Sequence, residues 1–158
     1  MDNQTTIRPF VDADLDALYA IQMKCPQAAQ WQKQDYVQLA HDPAGAILVL
    51  EIVEKNLPLL VGFAAFHTVF DETELRNIAI APLHQRKGLG RALLAAGIGE
   101  LKKFGTRRLF LEVRASNKPA RAIYGSAGFR RLHIRRDYYH DPEEDALVMS
   151  QDVFPGTA

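Results

Sequence analysis

The chain has 158 residues, of which 47% are hydrophobic and 24% are charged, with equal numbers of acidic and basic side chains. This length and composition predict one globular domain, spanning residues 1–158, and exclude a disordered or fibrous protein. No apolar run is long enough to span a bilayer, residues 1–4 lack the pattern of a signal peptide, and Cys25 is the only cysteine, so we expect a protein of the reducing cytoplasm.

The first half of the chain predicts three strands and two helices. Residues 5–10 favour a strand, and Asp12 is a candidate N-cap for a helix that carries Leu15, Leu18, Tyr19 and Met23 at helical spacing. Further elements are expected as a helix at 34–41, ended by Asp42 and Pro43, and strands at 46–53 and 59–70, joined by a turn at 56–58.

The second half alternates between strands and helices. Strands are expected at 73–82, 107–114, 129–139 and 145–154. One helix follows Pro82 and ends at Gly105, and another is capped by Ser116 or Asn117 and ends at Gly128. Because strand, helix, strand implies parallel pairing in the middle, we expect a mixed α/β sheet flanked by helices.

Basic residues concentrate in residues 84–136, which hold fourteen Lys or Arg and two acids, Glu100 and Glu112. This segment therefore carries a formal charge of +12, against −12 for the rest of the chain. It is either ordinary solvated surface or a basic face for nucleic acid or a phosphate-bearing cofactor. The five histidines are scattered without metal-binding spacing, so no metal site is predicted.

The segment "NIAIAPLHQRKGLGRALLAAG", residues 77–97, places glycines and positive charge where a strand leads into a helix. The first N–H groups of a helix have no internal partner, and Gly88 and Gly90 leave the backbone open to a ligand. With Arg86, Lys87 and Arg91 nearby, these amides are a candidate anion site. The alternative is that the glycines only shape a tight turn. A P-loop is excluded, as is the dinucleotide fingerprint, because Leu93 occupies its third glycine position.

The run Gln85-Arg86-Lys87-Gly88-Leu89-Gly90 matches the Q/R-x-x-G-x-G/A signature, so the chain resembles the GNAT N-acetyltransferases. The segments "LRNIAIAPLHQRKGLGRALL", "LEVRASNKPARAIYGSAGF" and "RRDYYHDPEEDALVM" are similar to the RimI-like branch, the ribosomal-protein-alanine N-acetyltransferases. The match runs from about Phe70 to Met149, roughly half of the chain, with the segments in one order and at the expected spacing. The resemblance implies a sheet of six to seven strands, mostly antiparallel with a splayed parallel central pair, and about four helices.

The same resemblance implies acetyl-CoA as cosubstrate. Backbone amides of the signature loop would hold its pyrophosphate, a strand would pair with its pantetheine arm, and an asparagine would contact it. The matching positions here are Gln85, Arg86, Lys87, Gly88, Leu89, Gly90 and Arg91 in the loop, Ile78, Ala79 and Ile80 in the strand, and Asn117. Asn117 has an alternative role as a helix cap.

Acetyl transfer to an amine needs a base for the amine and an acid for the departing thiolate. Glu112 is the candidate base, because it is one of two acids in the basic segment and lies in the strand "LFLEVR". Its alternative is a solvent-facing residue paired with Arg107 or Arg114. Tyr124 is the candidate acid, and its alternative is a core tyrosine; both can hold, since a ring can pack while its hydroxyl faces a cleft. The resemblance assigns these roles to the matching residues.

The acceptor is less defined than the reaction. In place of the Pro-Trp-Ser/Thr segment of RimI-like enzymes the chain has Pro26 and Trp31 separated by four residues. Trp31 is either a substrate-site residue, with Tyr138 and Tyr139, or a core aromatic. The leading hypothesis is transfer to the N-terminal α-amine of a protein, possibly a ribosomal protein, by a monomer or dimer. The alternatives are a GNAT acting on lysine or a small amine, and a nucleic-acid-binding module.

Acidic residues suggest how a basic protein tail would be received. Asp71, Glu72 and Glu74 precede the cofactor strand, and a second group stands before the last strand: Asp141, Glu143, Glu144 and Asp145. These acids would attract a Lys- and Arg-rich N-terminus, or they are ordinary solvated loop acids.

Overall fold

The computed structural model describes residues 4–153. Residues 1–3 and Phe154, the last residue of the final predicted strand, lie outside this range. The strands of the described part are β1 (Thr6–Pro9), β2 (Gly45–Glu54), β3 (Leu57–Val69), β4 (Glu72–Ile80), β5 (Arg108–Arg114), β6 (Arg130–Tyr139) and β7 (Glu144–Asp152). The helices are α1 (Leu15–Met23), α2 (Lys33–His41), α3 (Leu89–Lys103) and α4 (Lys118–Ser126), with short 3-10 turns at Asp12–Asp14 and Pro82–His84.

Helix ends follow the local sequence signals in the second half of the chain. Gly105 and Gly128 take left-handed conformations, with φ of +88° and +103°, directly after α3 and α4. Of the two candidate caps of α4, Asn117 is the one that acts, because its side-chain oxygen accepts a hydrogen bond from the amide of Ala120 at 3.2 Å.

Two local predictions in the first half are wrong. Asp12 does not cap α1 through its side chain; a 3-10 turn precedes the helix, and it is Asp14 that accepts a hydrogen bond from the amide of Val11 at 2.8 Å. The β2–β3 turn is formed by Lys55 and Asn56, both with positive φ, so the turn predicted at 56–58 is shorter and Leu57 begins β3.

The sheet has seven strands in the order β1-β2-β3-β4-β5-β7-β6. The β4–β5 pair is parallel and the other neighbouring pairs are antiparallel. The parallel pairing covers Glu72–Leu75 of β4 and ends there, although both strands continue. The predicted fold class is therefore confirmed, including the separation of the central pair.

Helices cover the two faces of the sheet unequally. α1 and α2 pack over β2 and β3 around Leu18, Tyr36 and Phe63, which are fully buried. On the opposite face α3 and α4 pack over the centre of the sheet, around Leu93 and Leu111. On the face of the sheet where α1 and α2 lie, no helix covers β5, β7 and β6, and this leaves room beside the separated central strands. Within residues 4–153 no helix is long and apolar enough to cross a membrane.

Candidate active site

A cleft of about 660 Å³ opens where β4 and β5 separate. The segment 26–31 between α1 and α2 forms one wall, and residues 138–141 at the end of β6 form another. The cleft brings together seven residues predicted from the sequence to belong to the site: Trp31, Ile78, Glu112, Asn117, Tyr124, Tyr138 and Tyr139.

Glu112 lies on β5 on the face not covered by α3, and its side chain is 14% exposed. One carboxylate oxygen accepts a hydrogen bond from Arg135 at 2.6 Å, and the other accepts one from the Tyr138 hydroxyl at 3.1 Å. The pairing with Arg107 or Arg114 that strand alternation allowed does not occur, since Arg114 instead contacts Glu144 at 3.4 Å. Glu112 is thus a partly buried carboxylate whose partners both come from β6.

Tyr124 faces the core and the cleft at once. Its residue is 9% exposed, and its ring packs edge-on against Phe129 at 5.9 Å between centroids. Within residues 4–153 its hydroxyl has no hydrogen-bond partner, and it lines the cleft. Burial raises the pKa of Tyr124 well above its ordinary range, so the hydroxyl keeps its proton at neutral pH. Both interpretations of this residue, core tyrosine and proton donor, are compatible with its position.

The aromatic residues of the acceptor side are held by their neighbours. Trp31 packs on Tyr36 at 4.9 Å between centroids, so it belongs to the core beside α1 and α2 and also lines the cleft. Tyr138 and Tyr139 pack against each other at 5.1 Å, and the Arg114 guanidinium lies over Tyr139 at 4.4 Å. Burial, followed by the charge of Glu112, raises the pKa of Tyr139 to about 12.

The predicted anion loop lies at the C-terminal end of β4, outside the lining of the cleft. Within residues 4–153 the backbone amides of residues 86–91 have no hydrogen-bond acceptor, and the first bond of α3 runs from Ala92 to the carbonyl of Gly88 at 3.1 Å. Gly88 is left-handed, with φ of +79°, and a Cβ there would meet nothing within 4 Å. This run of free amides, with Arg86 and Lys87 exposed beside it, is suited to a polyanion.

Some of the predicted cofactor residues are committed to the fold through their side chains. Gln85 donates a hydrogen bond to the carbonyl of Ile80 at 2.8 Å, and that carbonyl also accepts from the buried Cys25 thiol at 3.3 Å. The side chains of Ala79, Ile80 and Leu89 are buried in the cores. These residues can therefore meet a ligand only through the backbone, and the Ile80 carbonyl is already engaged.

Two residues of the site were not identified from the sequence. Asn77, buried on β4, exchanges hydrogen bonds of 3.0 Å with both backbone groups of Ala29 and also donates to the Tyr36 hydroxyl at 2.9 Å. It fixes the 26–31 segment to the sheet, and its signal in the sequence is a polar residue at an inward position of an apolar strand. Arg135, the partner of Glu112, had no signal among fourteen basic residues.

Comparison with known proteins identifies the family of the chain. A model of the acetyltransferase (GNAT) family matches residues 15–129. The ribosomal protein bS18-alanine N-acetyltransferase of Escherichia coli strain K12 is 40% identical over 150 residues, which cover 94% of this chain and 97% of that protein. The enzyme of the same name from Haemophilus influenzae is 39% identical over 140 residues, covering 87% and 91%.

Solved structures give the same result. The crystal structure of the ribosomal-protein-S18-alanine N-acetyltransferase from Escherichia coli superposes with a TM-score of 0.83 at 37% identity, covering 97% of this chain and 96% of that one. Ard1 from Thermoplasma volcanium has a TM-score of 0.84 at 23% identity, covering 96% and 99%, and shares the fold. The chain therefore belongs to the GNAT family of acetyltransferases, on its RimI-like, ribosomal-protein-alanine N-acetyltransferase branch.

Proposed function

We propose that this acetyltransferase moves the acetyl group of acetyl-CoA to the N-terminal α-amine of a protein, with Glu112 as the base and Tyr124 as the acid. The observation that carries the proposal is the placement of a partly buried carboxylate and an unpartnered phenol in one cleft between the separated strands β4 and β5. A single group could be structural, but the pair supplies both proton transfers that acetyl transfer requires.

The residues present fit acetyl-CoA. Its pyrophosphate needs hydrogen-bond donors and positive charge, and the amides of residues 86–91 are free to donate within the described part of the chain. Asn117 would reach the cofactor through its side-chain amide while its oxygen caps α4. Beyond Leu75 the edge of β4 that faces β5 is unpaired, and it offers Ile78 and its neighbours to an extended pantetheine chain, which would pair there as an added strand does.

Acetyl-CoA supplies the acetyl group as a thioester, whose sulfur must leave as a thiol. The acceptor amine reaches the cleft mainly as an ammonium, because α-amino groups have pKa values near 8. Glu112 takes its proton, directly or through one water, and the freed lone pair attacks the carbonyl carbon. Tyr124 gives its proton to the sulfur as the carbon–sulfur bond breaks, and the phenolate that remains takes the second proton that the nitrogen loses as the amide forms. The hydroxyl is available for this step because no other group within residues 4–153 accepts that proton.

A protein acceptor is favoured by the name of the relatives, which are alanine N-acetyltransferases of ribosomal protein bS18. It is also favoured by the open cleft, whose lining includes Glu74 and Asp141. These two acids could attract the basic residues that follow such an N-terminus. Asp71 precedes β4 and Glu72 is its first residue, and neither lines the cleft. Glu144 is occupied by Arg114 and the amide of Ser116.

The test is a screen for CoA release over a panel of amines. The panel pairs a peptide that begins with alanine followed by arginines with the same peptide carrying neutral residues, and adds lysine-containing peptides with blocked N-termini, polyamines and free amino acids. We expect the alanine–arginine peptide to react fastest, with a preference that shrinks as salt screens the charges over about 8–10 Å. A faster reaction on a blocked lysine peptide or a free small amine would replace the proposal with the alternative acceptors.

A further inference from the structure

Each oxygen of the Glu112 carboxylate already accepts one hydrogen bond before any substrate arrives. Arg135 donates to one oxygen at 2.6 Å, and Tyr138 donates to the other at 3.1 Å. Because the Glu112 side chain is only 14% exposed, an ammonium group that approaches the oxygen held by Arg135 competes with that guanidinium. Arg135 is the cation of the two donors, so it already makes the contact that a substrate ammonium would make.

The route by which Arg135 reaches Glu112 explains why it is the donor that can move. The two residues lie on β6 and β5, with β7 between them, and Arg135 stands opposite Ala146 in the register. A methyl group at that position lets the long side chain cross the intervening strand. The Arg135 side chain is 50% exposed, and its guanidinium stacks on the Tyr138 ring at 4.1 Å. Its displacement would therefore open no core contact.

A second carboxylate, that of Glu74, lines the cleft beside Glu112. The hydrogen bond that Arg135 donates to Glu112 is the main cause that raises the pKa of Arg135, and the charge of Glu74 acts in the same direction. Glu74 lines the same cleft from β4, where it contacts Arg76 at 3.1 Å. Arg135 can thus leave Glu112 without losing all of its acidic neighbours.

From this geometry we infer that Arg135 is a gating and specificity residue, whose guanidinium occupies the position of the acceptor's ammonium and must be exchanged for it. The inference rests on the proposed function and deepens it, since it concerns how the same base selects its substrate. A cationic amine can replace Arg135 at Glu112, charge for charge. An acceptor analogue without a positive nitrogen cannot replace the guanidinium and leaves the ion pair of Arg135 and Glu112 intact.

The experiment compares Arg135→Gln with the wild type under saturating acetyl-CoA and varied alanine–arginine peptide. Exposed ion pairs of this kind change equilibria by a small factor, so removing the competing cation should lower the KM for the peptide about two- to fivefold. The inhibition constant of an N-acetylated alanine peptide with neutral residues in place of the arginines should stay unchanged, because that peptide has no cation to exchange. A merely structural role would move both constants together.

Matched variants make the result specific. Arg136→Gln removes the same charge from the next residue, which is exposed and makes no ion pair within residues 4–153, and it should leave both constants at wild-type values. Arg135→Lys restores a cation and should return the KM toward the wild type. Should Arg135→Gln fail to fold, Arg135→Met, which keeps an unbranched stem without the charge, takes its place with the same expected fall in KM.

Three outcomes would overturn the inference. A raised or unchanged peptide KM in Arg135→Gln, in an enzyme whose wild type acetylates the peptide, would show that Arg135 does not compete with the substrate. An equal fall in the KM and in the inhibition constant of the acetylated peptide would show a general change of the cleft. Wild-type enzyme that releases no CoA with any amine would refute the proposed function and the gate with it.

Discussion

Replacing Tyr124 with phenylalanine removes one hydroxyl group from the cleft and leaves the ring in place. The ring is buried against Phe129, and within residues 4–153 the hydroxyl makes no hydrogen bond, so the free energy of unfolding should change by no more than about 0.5 kcal/mol. Catalysis should change far more. The Tyr138 hydroxyl is committed to Glu112 and cannot take over the proton donation.

The expected loss in kcat is about 10²- to 10⁴-fold, which corresponds to roughly 2.7–5.5 kcal/mol of barrier. The assay measures CoA release with a saturating alanine-terminated peptide, a single-turnover experiment to establish that chemistry limits the rate, and acetyl-CoA affinity by calorimetry. The affinity should stay near the wild type. Tyr19→Phe is the matched control, because it removes a hydroxyl on α1 that does not line the cleft, and it should keep the wild-type kcat.

A pH profile gives a second check on the same residue. Burial raises the pKa of Tyr124 above its ordinary value near 10, so the acid form persists through the alkaline range. The wild-type kcat should therefore show no descending limb between pH 8 and about 10. A loss in Tyr124→Phe of less than threefold with chemistry rate-limiting would refute the assignment of Tyr124 as proton donor.

Three further predictions concern the base, the cofactor loop and the acceptor wall. Glu112→Gln should lower kcat at pH 7 by about tenfold or more and regain part of it at high pH, where more of the amine is neutral; a pH-independent loss would argue against a base. Gly88→Val and Gly90→Val should each abolish the rise in melting temperature that acetyl-CoA causes. Gly88→Val should also destabilise the protein without ligand, because Gly88 has a positive φ. A wild-type shift in both variants would refute the anion loop. Asn77→Ala should lower the free energy of unfolding, measured by heat or urea, by about 1–3 kcal/mol, because it leaves the backbone of Ala29 without its hydrogen-bond partner. It should also raise the peptide KM, and an unchanged KM would show that the 26–31 segment does not take part in acceptor binding.

The fold was predictable because its signals are local. The apolar strand at Gly45–Glu54, the glycines after α3 and α4, and the alternation of strand and helix around residues 73–114 each depend on neighbouring residues. The errors were local as well. The turn is formed by Lys55 and Asn56, which both take positive φ values, and the sequence Asn-Leu-Pro suggested a turn one residue later. Pro58 lies in β3 instead, because it pairs with Val53 close to the end of the hairpin.

Candidate residues of the site could be chosen from the sequence only where a single residue type indicates a chemical role by itself. Glu112 and Tyr124 are candidates from the sequence because one of only two acids in a basic segment and a tyrosine after a capped helix start match a known pattern. The contact between Arg135 and Glu112 depends on the register of three strands and on a small residue at Ala146, and no spacing in the sequence encodes it. The basic segment likewise divides into residues that contact the protein, such as Arg114, and residues such as Lys87 at the anion loop.

The central claim is that the acceptor is the α-amine of a protein N-terminus. It is tested most directly with one peptide that begins with alanine, continues with arginines and contains an internal lysine. After reaction with the enzyme and acetyl-CoA, tandem mass spectrometry locates the acetyl group. We predict acetylation of the alanine α-amine, with the lysine unmodified, and a loss of that product in Glu112→Gln. Acetyl found on the lysine, or formed on the α-amine at an equal rate by Glu112→Gln, would contradict it.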